Sequence, residues 1–284
     1  MKFFVIGCNG MAGHIIALYL KEQGYDVIGF ARTTSKNVET IIGDAFNTEL
    51  IKMSIDKHSF DTVINCIGML NQFAEYDKAS AAFLNGYLPH FLVKTTEGTN
   101  TQVIHMSTDC VFSGHSGPYT ENSFPDGITF YDRSKALGEI NDNKNLTLRN
   151  SIVGPDIKVD GIGLLNWFMQ QNGEVNGFTK AMWTGQTTLQ LAKTMEIAAQ
   201  QRISGLINMV PTENISKYEL LKLFNKHLRN SELIIKPVDG VVADKTLIRI
   251  NDEFDYQIPD YDTMIREMAE WMRNHKELYP HYNL

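Results

Sequence analysis

Three glycines spaced three apart, Gly7, Gly10 and Gly13, stand between an apolar run rich in β-formers, Lys2 to Ile6, and an apolar helical stripe, Ile15, Ile16, Leu18, Tyr19 and Leu20. A strand, a glycine turn and a helix in that order leave the chain few options. Gly7 can turn sharply, Gly10 lets backbone approach a ligand, and Gly13 lets the helix pack close against the strand. The helix start offers unpaired N–H groups and a positive dipole end, which suits a pyrophosphate. Gly24 is a fitting C-terminal cap for a helix from Met11 to Gln23.

The alternation continues. Strands are expected at Asp26–Phe30, Asp61–Ile67, Gln102–Ser107 and Leu146–Arg149, and helices at Thr48–His58, Tyr76–Thr96 and Tyr131–Asn141. Near-continuous apolar strands between helices read as a parallel sheet buried on both faces, built from right-handed βαβ units. The fold class is α/β, a Rossmann doubly wound parallel sheet with a smaller C-terminal substrate-binding lobe. Residues 1–150 form the nucleotide-binding domain. In 151–284 helices fit Gly163–Gln171, Leu189–Gln201, Lys217–Leu228 and Tyr261–His275, around an irregular stretch, Asn172 to Gly185. Strand candidates at Leu206–Met209 and Leu233–Ile235 would return one or two strands to the main sheet.

Composition excludes several classes. Lys plus Arg is 26 against 33 Asp plus Glu, a net charge of −7, and no basic run appears, so neither nucleic acid nor an anionic membrane is an expected partner. No apolar run reaches the roughly 18 residues of a membrane span, and the N-terminus lacks a signal-peptide pattern, so a cytoplasmic location is expected. Cys8, Cys66 and Cys110 are odd in number and far apart, and the eight histidines show no ligand spacing, so neither a disulfide framework nor a metal site is expected.

The G-x-x-G-x-x-G spacing resembles the extended short-chain dehydrogenase/reductase superfamily, and Gly7, Asn9, Gly10 and Met11 become cofactor-binding candidates. Sites that prefer NAD place an acid at the end of the second strand to bond the ribose 2′-hydroxyl. Here Arg32 stands there, followed by Thr33, Thr34 and Ser35. An arginine among hydroxyls suits a 2′-phosphate, so NADP(H) is the expected cofactor. Asp44, in Gly43-Asp44-Ala45, resembles the acid that bonds the adenine amine in this superfamily.

Tyr131 and Lys135 stand four apart, on one helix face. Reducing a ketone needs hydride at carbon and a proton at oxygen. Free tyrosine, pKa about 10, is a poor acid or base at neutral pH, and a neighbouring ammonium would lower that value. With eleven tyrosines the spacing also arises by chance, and Tyr218 with Lys222 repeats it. Context separates the two. Tyr131 follows a strand ending Ser107-Thr108-Asp109, which supplies hydroxyls, whereas Tyr218 lies among packing residues of an apolar helix.

Ser107-Thr108-Asp109-Cys110-Val111-Phe112, Gly117-Pro118-Tyr119-Thr120-Glu121 and Tyr131-Asp-Arg-Ser-Lys135 with Gly138-Glu139 resemble the dTDP-4-dehydrorhamnose reductase family. The resemblance implies NAD(P)H reduction of a 4-keto-6-deoxy nucleotide sugar, with Thr108, Tyr131 and Lys135 catalytic and Ser107 an alternate hydroxyl. It makes Asn85 the helix asparagine that supports the lysine, and Asn65-Cys66-Ile67-Gly68 the loop beneath the cofactor. Cys66, Ile67 and Gly68 thus join Asn85, Tyr131 and Lys135 as cofactor contacts. Thr108, Asp109, Asn176 and Trp183 are the substrate-binding candidates, and Lys180 is a weaker one for the diphosphate. The chain departs from the family at Cys110, usually aromatic, at Ser113-Gly114, usually Asp-Gly, and at Asp132, commonly glycine. Asp109-Cys110 replaces the Asp-Glu pair of the related dehydratases, which disfavours elimination. The alternatives are an epimerase of the superfamily and a non-catalytic NADP-binding regulatory subunit. The small-molecule partner is a nucleotide sugar, and a homodimer is a candidate assembly.

Overall fold

The computed structural model describes residues 1–284. Its first half runs β1 (Lys2–Ile6), α1 (Met11–Glu22), β2 (Asp26–Ala31), β3 (Glu39–Ile42), α2 (Thr48–His58), β4 (Thr62–Asn65), α3 (Asn71–Tyr76), α4 (Lys78–Ala81), a π-helical turn (Ala82–Tyr87), α5 (Leu88–Thr95), β5 (Gln102–Ser107), α6 (Phe130–Leu137) and β6 (Leu146–Arg149). The second half adds β7 (Ser151–Val153), α7 (Leu164–Met169), β8 (Glu174–Phe178), β9 (Met182–Trp183), β10 (Gly185–Thr187), α8 (Thr188–Gln201), β11 (Gly205–Asn208), β12 (Ile215–Ser216), α9 (Lys217–Leu228), β13 (Ile234–Val238) and α10 (Tyr261–Asn274).

Seven strands form one parallel sheet in the order β11-β6-β5-β4-β1-β2-β3, the doubly wound architecture expected. The period of two along β1 explains why both faces are covered. Phe3 and Val5 enter the cluster formed with α1, α8 and α10, while Phe4 and Ile6 enter the one formed with α2 and α5. The larger cluster, 45 residues, spans both sides of residue 150, and β11 returns to the sheet edge. Strand order reverses between β1 and β4, which opens a crevice at the carboxyl ends of these strands.

Several elements differ from expectation. β3 is a half-exposed edge strand that lacks the strong apolar pattern of its neighbours, and Arg32–Val38 crosses to it without a helix. The single helix expected over Tyr76–Thr96 is broken in two ways. The Asp77 carboxylate accepts from Ser80 N at 3.0 Å and Ser80 Oγ at 2.6 Å and so starts a new helix. Pro89 has no N–H, and its ring displaces the carbonyl four residues back, that of Asn85, which lies inside the π turn. The helix expected over Tyr131–Asn141 stops at Leu137, because Gly138 packs against that displaced carbonyl. An ideal Cβ on Gly138 would lie 1.9 Å from Asn85 O. The stretch Asn172–Gly185, expected to be irregular, contains β8 and β9. β8 pairs with β13 and β9 with β12, pairings invisible to local pattern.

Gly13 and Gly24 provide a contrast. A Cβ on Gly13 would lie 2.1 Å from Gly7 O, whereas a Cβ on Gly24, at φ +85°, meets nothing within 4 Å. Gly24→Ala is expected to cost about 1 kcal/mol, from left-handed backbone alone. Gly13→Ala is expected to cost about 3 kcal/mol or more, or to prevent folding, because α1 must move off β1. Urea unfolding of both variants measures the difference, and equal costs would contradict the packing described.

Candidate active site

The glycine turn and the loop after β4 meet across the crevice. Gly7 adopts φ +88° and donates to Phe30 O at 2.8 Å, and a Cβ there would lie 2.9 Å from Ile67 Cγ1. Cys66 continues the strand by donating to Ile6 O at 2.9 Å. Gly10 caps α1 with no side chain on the helix end and no acid in the first turn. The first N–H groups of α1 therefore face the crevice mouth without an intrahelical acceptor, and the residues present fit a dinucleotide pyrophosphate. Met11 is the first residue of the helix. Asn9 braces the next loop, its amide donating to Thr33 O at 2.8 Å and Thr33 Oγ1 at 3.2 Å. That loop presents Arg32, Thr33 and Thr34 exposed to solvent. Asp44 is exposed beyond β3 and accepts from Phe46 N at 3.0 Å.

Two strands over, Thr108 leaves β5 in a tight turn. Its hydroxyl donates to Asp109 Oδ1 at 3.0 Å and accepts from Cys110 N at 3.1 Å. Tyr131 sits in the first turn of α6. A capping box starts that helix: Asp132 N donates to Thr129 Oγ1, and Thr129 N to Asp132 Oδ2, both at 3.1 Å. The departure at Asp132 thus anchors the helix that carries Tyr131. Thr108, Asp109, Tyr131 and Lys135 are all buried. Lys135 Nζ donates to Met106 O at 2.6 Å and lies 3.4 Å from His105 Nε2.

This geometry changes the expected electrostatics. Burial pulls the Lys135 ammonium down to about 8, against the pull of Glu139. Burial pushes the Tyr131 phenol up, and Cys110, Asp109 and Asp132 add to this, while the Thr108 hydroxyl opposes it. The expected lowering of Tyr131 by Lys135 is absent, because the ammonium is directed at Met106 and His105. The phenol therefore keeps its proton at neutral pH, so the proton that carbonyl reduction needs at oxygen is in place, while burial makes it a weaker acid than a free tyrosine.

Asn85 ties the loop after β4 to α6. Its Oδ1 accepts from Met69 N at 2.8 Å, and its Nδ2 donates to Met69 O and Ser134 Oγ, each at 3.0 Å. Gly68 lies beside it, where a Cβ would come 3.4 Å from Asn85 Oδ1. Ser107, the alternate hydroxyl, is engaged elsewhere and donates to Glu139 Oε1 at 2.6 Å. Glu139 is in turn forked by Arg149, with Nε at 2.8 Å and Nη2 at 2.6 Å, beneath the site. The sequence reading missed this buried pair and also His105. The charged residues within apolar segments were the available signal.

Other candidates lie elsewhere. Trp183, expected to stack on a ligand, is only 8% exposed and belongs to the main core, its ring 5.6 Å from that of Tyr261. Packing, not ligand stacking, accounts for it. Asn176 is exposed on β8 opposite Lys236 and shares none of the hydrogen bonds of the Thr108–Tyr131–Lys135 group. Lys180 is exposed and pairs with Asp239 at 3.0 Å. Tyr218 packs on β8, and Lys222 lies 5.2 Å over its ring while bonding Glu219.

A family model described as the RmlD substrate binding domain matches residues 1–245. The chain belongs to this family. It is 33% identical over 143 residues to the probable low-salt glycan biosynthesis reductase Agl14 of Haloferax volcanii, covering 49% of this chain and 48% of that one. It is 31% identical over 142 residues to a dTDP-4-dehydrorhamnose reductase of Burkholderia thailandensis, covering 49% and 45%. The chain spans about half the length of the curated relatives it matches. Among solved structures, the dTDP-4-dehydrorhamnose reductase of Bacillus anthracis in complex with NADP superposes with a TM-score of 0.79 at 18% identity, over 95% of this chain and 99% of that one. That likeness shows the fold. No helix of the chain is long and apolar enough to cross a membrane.

Removing Arg149 would leave Glu139 buried without its charge partner. Arg149→Met is expected to destabilise the protein by about 3–5 kcal/mol in chemical unfolding. A loss below about 1 kcal/mol would show that the pair does not hold β6 to α6.

Proposed function

We propose that the chain is an NADPH-dependent reductase of the 4-keto group of a nucleotide-linked 4-keto-6-deoxy sugar, acting in surface polysaccharide biosynthesis. The observation that carries this reading is the buried Thr108–Tyr131–Lys135 group at the carboxyl end of β5, beside a glycine cradle at the switch point of the sheet. The relatives named as a glycan biosynthesis reductase, as a spore coat polysaccharide biosynthesis protein of Bacillus subtilis and as dTDP-4-dehydrorhamnose reductases support the substrate class and pathway.

In this reading Gly7, Asn9, Gly10, Met11, Arg32, Asp44, Cys66, Ile67, Gly68 and Asn85 line the cofactor site, with Arg32 at the 2′-phosphate. When bound, the nicotinamide cofactor supplies a hydride to the carbonyl carbon. Tyr131 donates its proton to the ketone oxygen, and the Thr108 hydroxyl, turning from Asp109 Oδ1, donates a hydrogen bond to the same oxygen. Lys135, one turn along α6, is directed at Met106 O and His105 rather than at the phenol, and its part in this reading is to hold the cofactor's ribose. Remote contacts to the nucleotide hold the sugar in line, so the free sugar should turn over with lower kcat as well as higher KM. The residues of the second half that make these contacts are proposed as a class, and Asp109, from the first half, is the substrate contact proposed beside Thr108.

A second reading has one observation in its favour. The chain is 26% identical over 141 residues to the methionine adenosyltransferase 2 subunit beta of Xenopus tropicalis. A non-catalytic subunit needs no proton donor, so the intact Thr108, Tyr131 and Lys135 favour the enzyme.

Incubation with NADPH and a panel of dTDP- and UDP-4-keto-6-deoxyhexoses tests the proposal by loss of NADPH absorbance and product mass. One NADPH consumed and two hydrogens gained per turnover are expected. Recycling without net consumption would indicate epimerisation, and no turnover on any sugar would favour the regulatory reading. Tyr131→Phe is expected to lower kcat by roughly 10²–10⁴ and leave cofactor binding intact, whereas Tyr218→Phe leaves kcat nearly unchanged. Equal effects would refute the assignment of Tyr131.

Arg32→Ala should reduce the ratio of kcat/KM for NADPH to that for NADH by about tenfold or more, through loss of a charge-assisted hydrogen bond. A native preference for NADH, or an unchanged ratio, would remove Arg32 from the cofactor site.

A further inference from the structure

His105 is fully buried on β5, between two polar side chains, and the reaction scheme above does not use it. Its hydrogen bonds can be worked out from a group whose role is unambiguous. The backbone N–H of Ile67 can only donate, so the atom of Asn65 3.1 Å away must be the amide oxygen. Asn65 therefore turns its NH2 to His105 Nδ1, at 3.2 Å, and Nδ1 must accept. Burial, the Lys135 ammonium and His90 together hold the ring well below the ordinary histidine range, so it is neutral. A neutral ring that accepts at Nδ1 carries its proton on Nε2. Nε2 stands 3.4 Å from Lys135 Nζ.

An N–H aimed at an ammonium repels it, whereas the same N–H donates to the lone pair of a neutral amine. We propose that the chain Ile67 N–H, Asn65, His105 locks the Nε2–H tautomer and makes His105 a positioning residue that sets how readily Lys135 releases its proton. This deepens the proposed function and rests on its assignment of Lys135. Ile67 belongs to the loop assigned to the cofactor, so a movement of that loop passes to the lysine through two hydrogen bonds and the Nε2–H···Nζ contact.

The other charges around the pair do not determine its behaviour in the same way. Glu139, just past the end of α6, favours the ammonium, but Arg149 and Ser107 engage its carboxylate. His90, from α5, is exposed and hydrogen bonded to Leu137 O at 2.8 Å. Asp109 and Asp132 act on Tyr131. Met106 O accepts from Lys135 in either protonation state. The Asn65–His105 arm is the part of this environment that a change of tautomer can reverse.

The test uses the full chain with labelled histidine and lysine, and NMR. The His105 signals are assigned by their absence in His105→Gln. A pyridine-type Nδ1 and a protonated Nε2, constant from roughly pH 5.5 to 9, are expected. The reverse tautomer, or a ring that titrates in that range, would overturn the proposal. In Asn65→Asp the carboxylate accepts from both Ile67 N–H and Nδ1–H. The ring proton then moves to Nδ1, and the Nε2 lone pair faces the ammonium. Lys135 should then titrate about one pH unit or more above its native value of about 8. His105→Gln should shift it the same way, because the amide oxygen can turn to the ammonium. A Lys135 titration unmoved in both folded variants would also overturn the proposal.

In activity, the alkaline fall of kcat/KM should move upward with the lysine, since Lys135 acts as the ammonium and is lost as pH rises through its pKa. The NMR arms need no substrate. A locked tautomer in a protein that reduces no sugar would refute the proposed function and leave this inference standing.

Discussion

The start of α1 rests so closely on the end of β1 that a single methyl group on Gly13 would lie 2.1 Å from the carbonyl oxygen of Gly7. That contact fixes where the helix begins and which way its free N–H groups point. It also fixes the floor of the crevice, because the same Gly7 leaves no room for a side chain beside Ile67 on the other bank. Asn9, in the turn between, reaches across to Thr33 and holds the loop that carries Arg32. A backbone approach possible only for glycine therefore organises three separate loops around one opening.

A second constraint operates through missing atoms. Pro89 cannot donate a hydrogen bond, and the carbonyl of Asn85 is pushed out of the helical ladder. Gly138 occupies the space beside that carbonyl and ends α6 just after Lys135. The Asn85 side chain then joins Met69 to Ser134, and Ser134 in turn donates to Tyr131 O at 3.0 Å. One helix defect thereby sets both the length of α6 and its placement against the loop after β4.

The site is costly to bury. Tyr131, Lys135 and His105 are polar groups in a nearly dry setting, and each is displaced from its ordinary titration range by burial before any charge acts on it. The cost is offset by saturating the surroundings with hydrogen bonds. Ser107, Glu139 and Arg149 form a closed set beneath the site, and Asn65 with Ile67 forms another at its side. Groups held this way do not need to reorganise when charge moves, which is the condition under which proton transfer in a low-dielectric site is efficient.

The alternation of strands and helices, the glycine turn and the Tyr131–Lys135 spacing were legible in the sequence because each is a local pattern. A buried strand must be apolar, a tight turn must be glycine, and residues four apart on a helix share a face whatever surrounds them. The family could be recognised from the motifs for the same reason. The sequence did not show where Lys135 points, that Ser107 is engaged by Glu139, or that Trp183 packs on Tyr261. Those outcomes depend on residues tens of positions apart meeting across the sheet, and no period encodes them. β3, β8 and β9 were missed on the same ground, since their strand character comes from a partner and not from their own composition. Local periodicity determined the fold class and the chemical types available at the site. Only the tertiary packing decided which of those side chains face one another, because hydrogen bonding and desolvation act between neighbours in space.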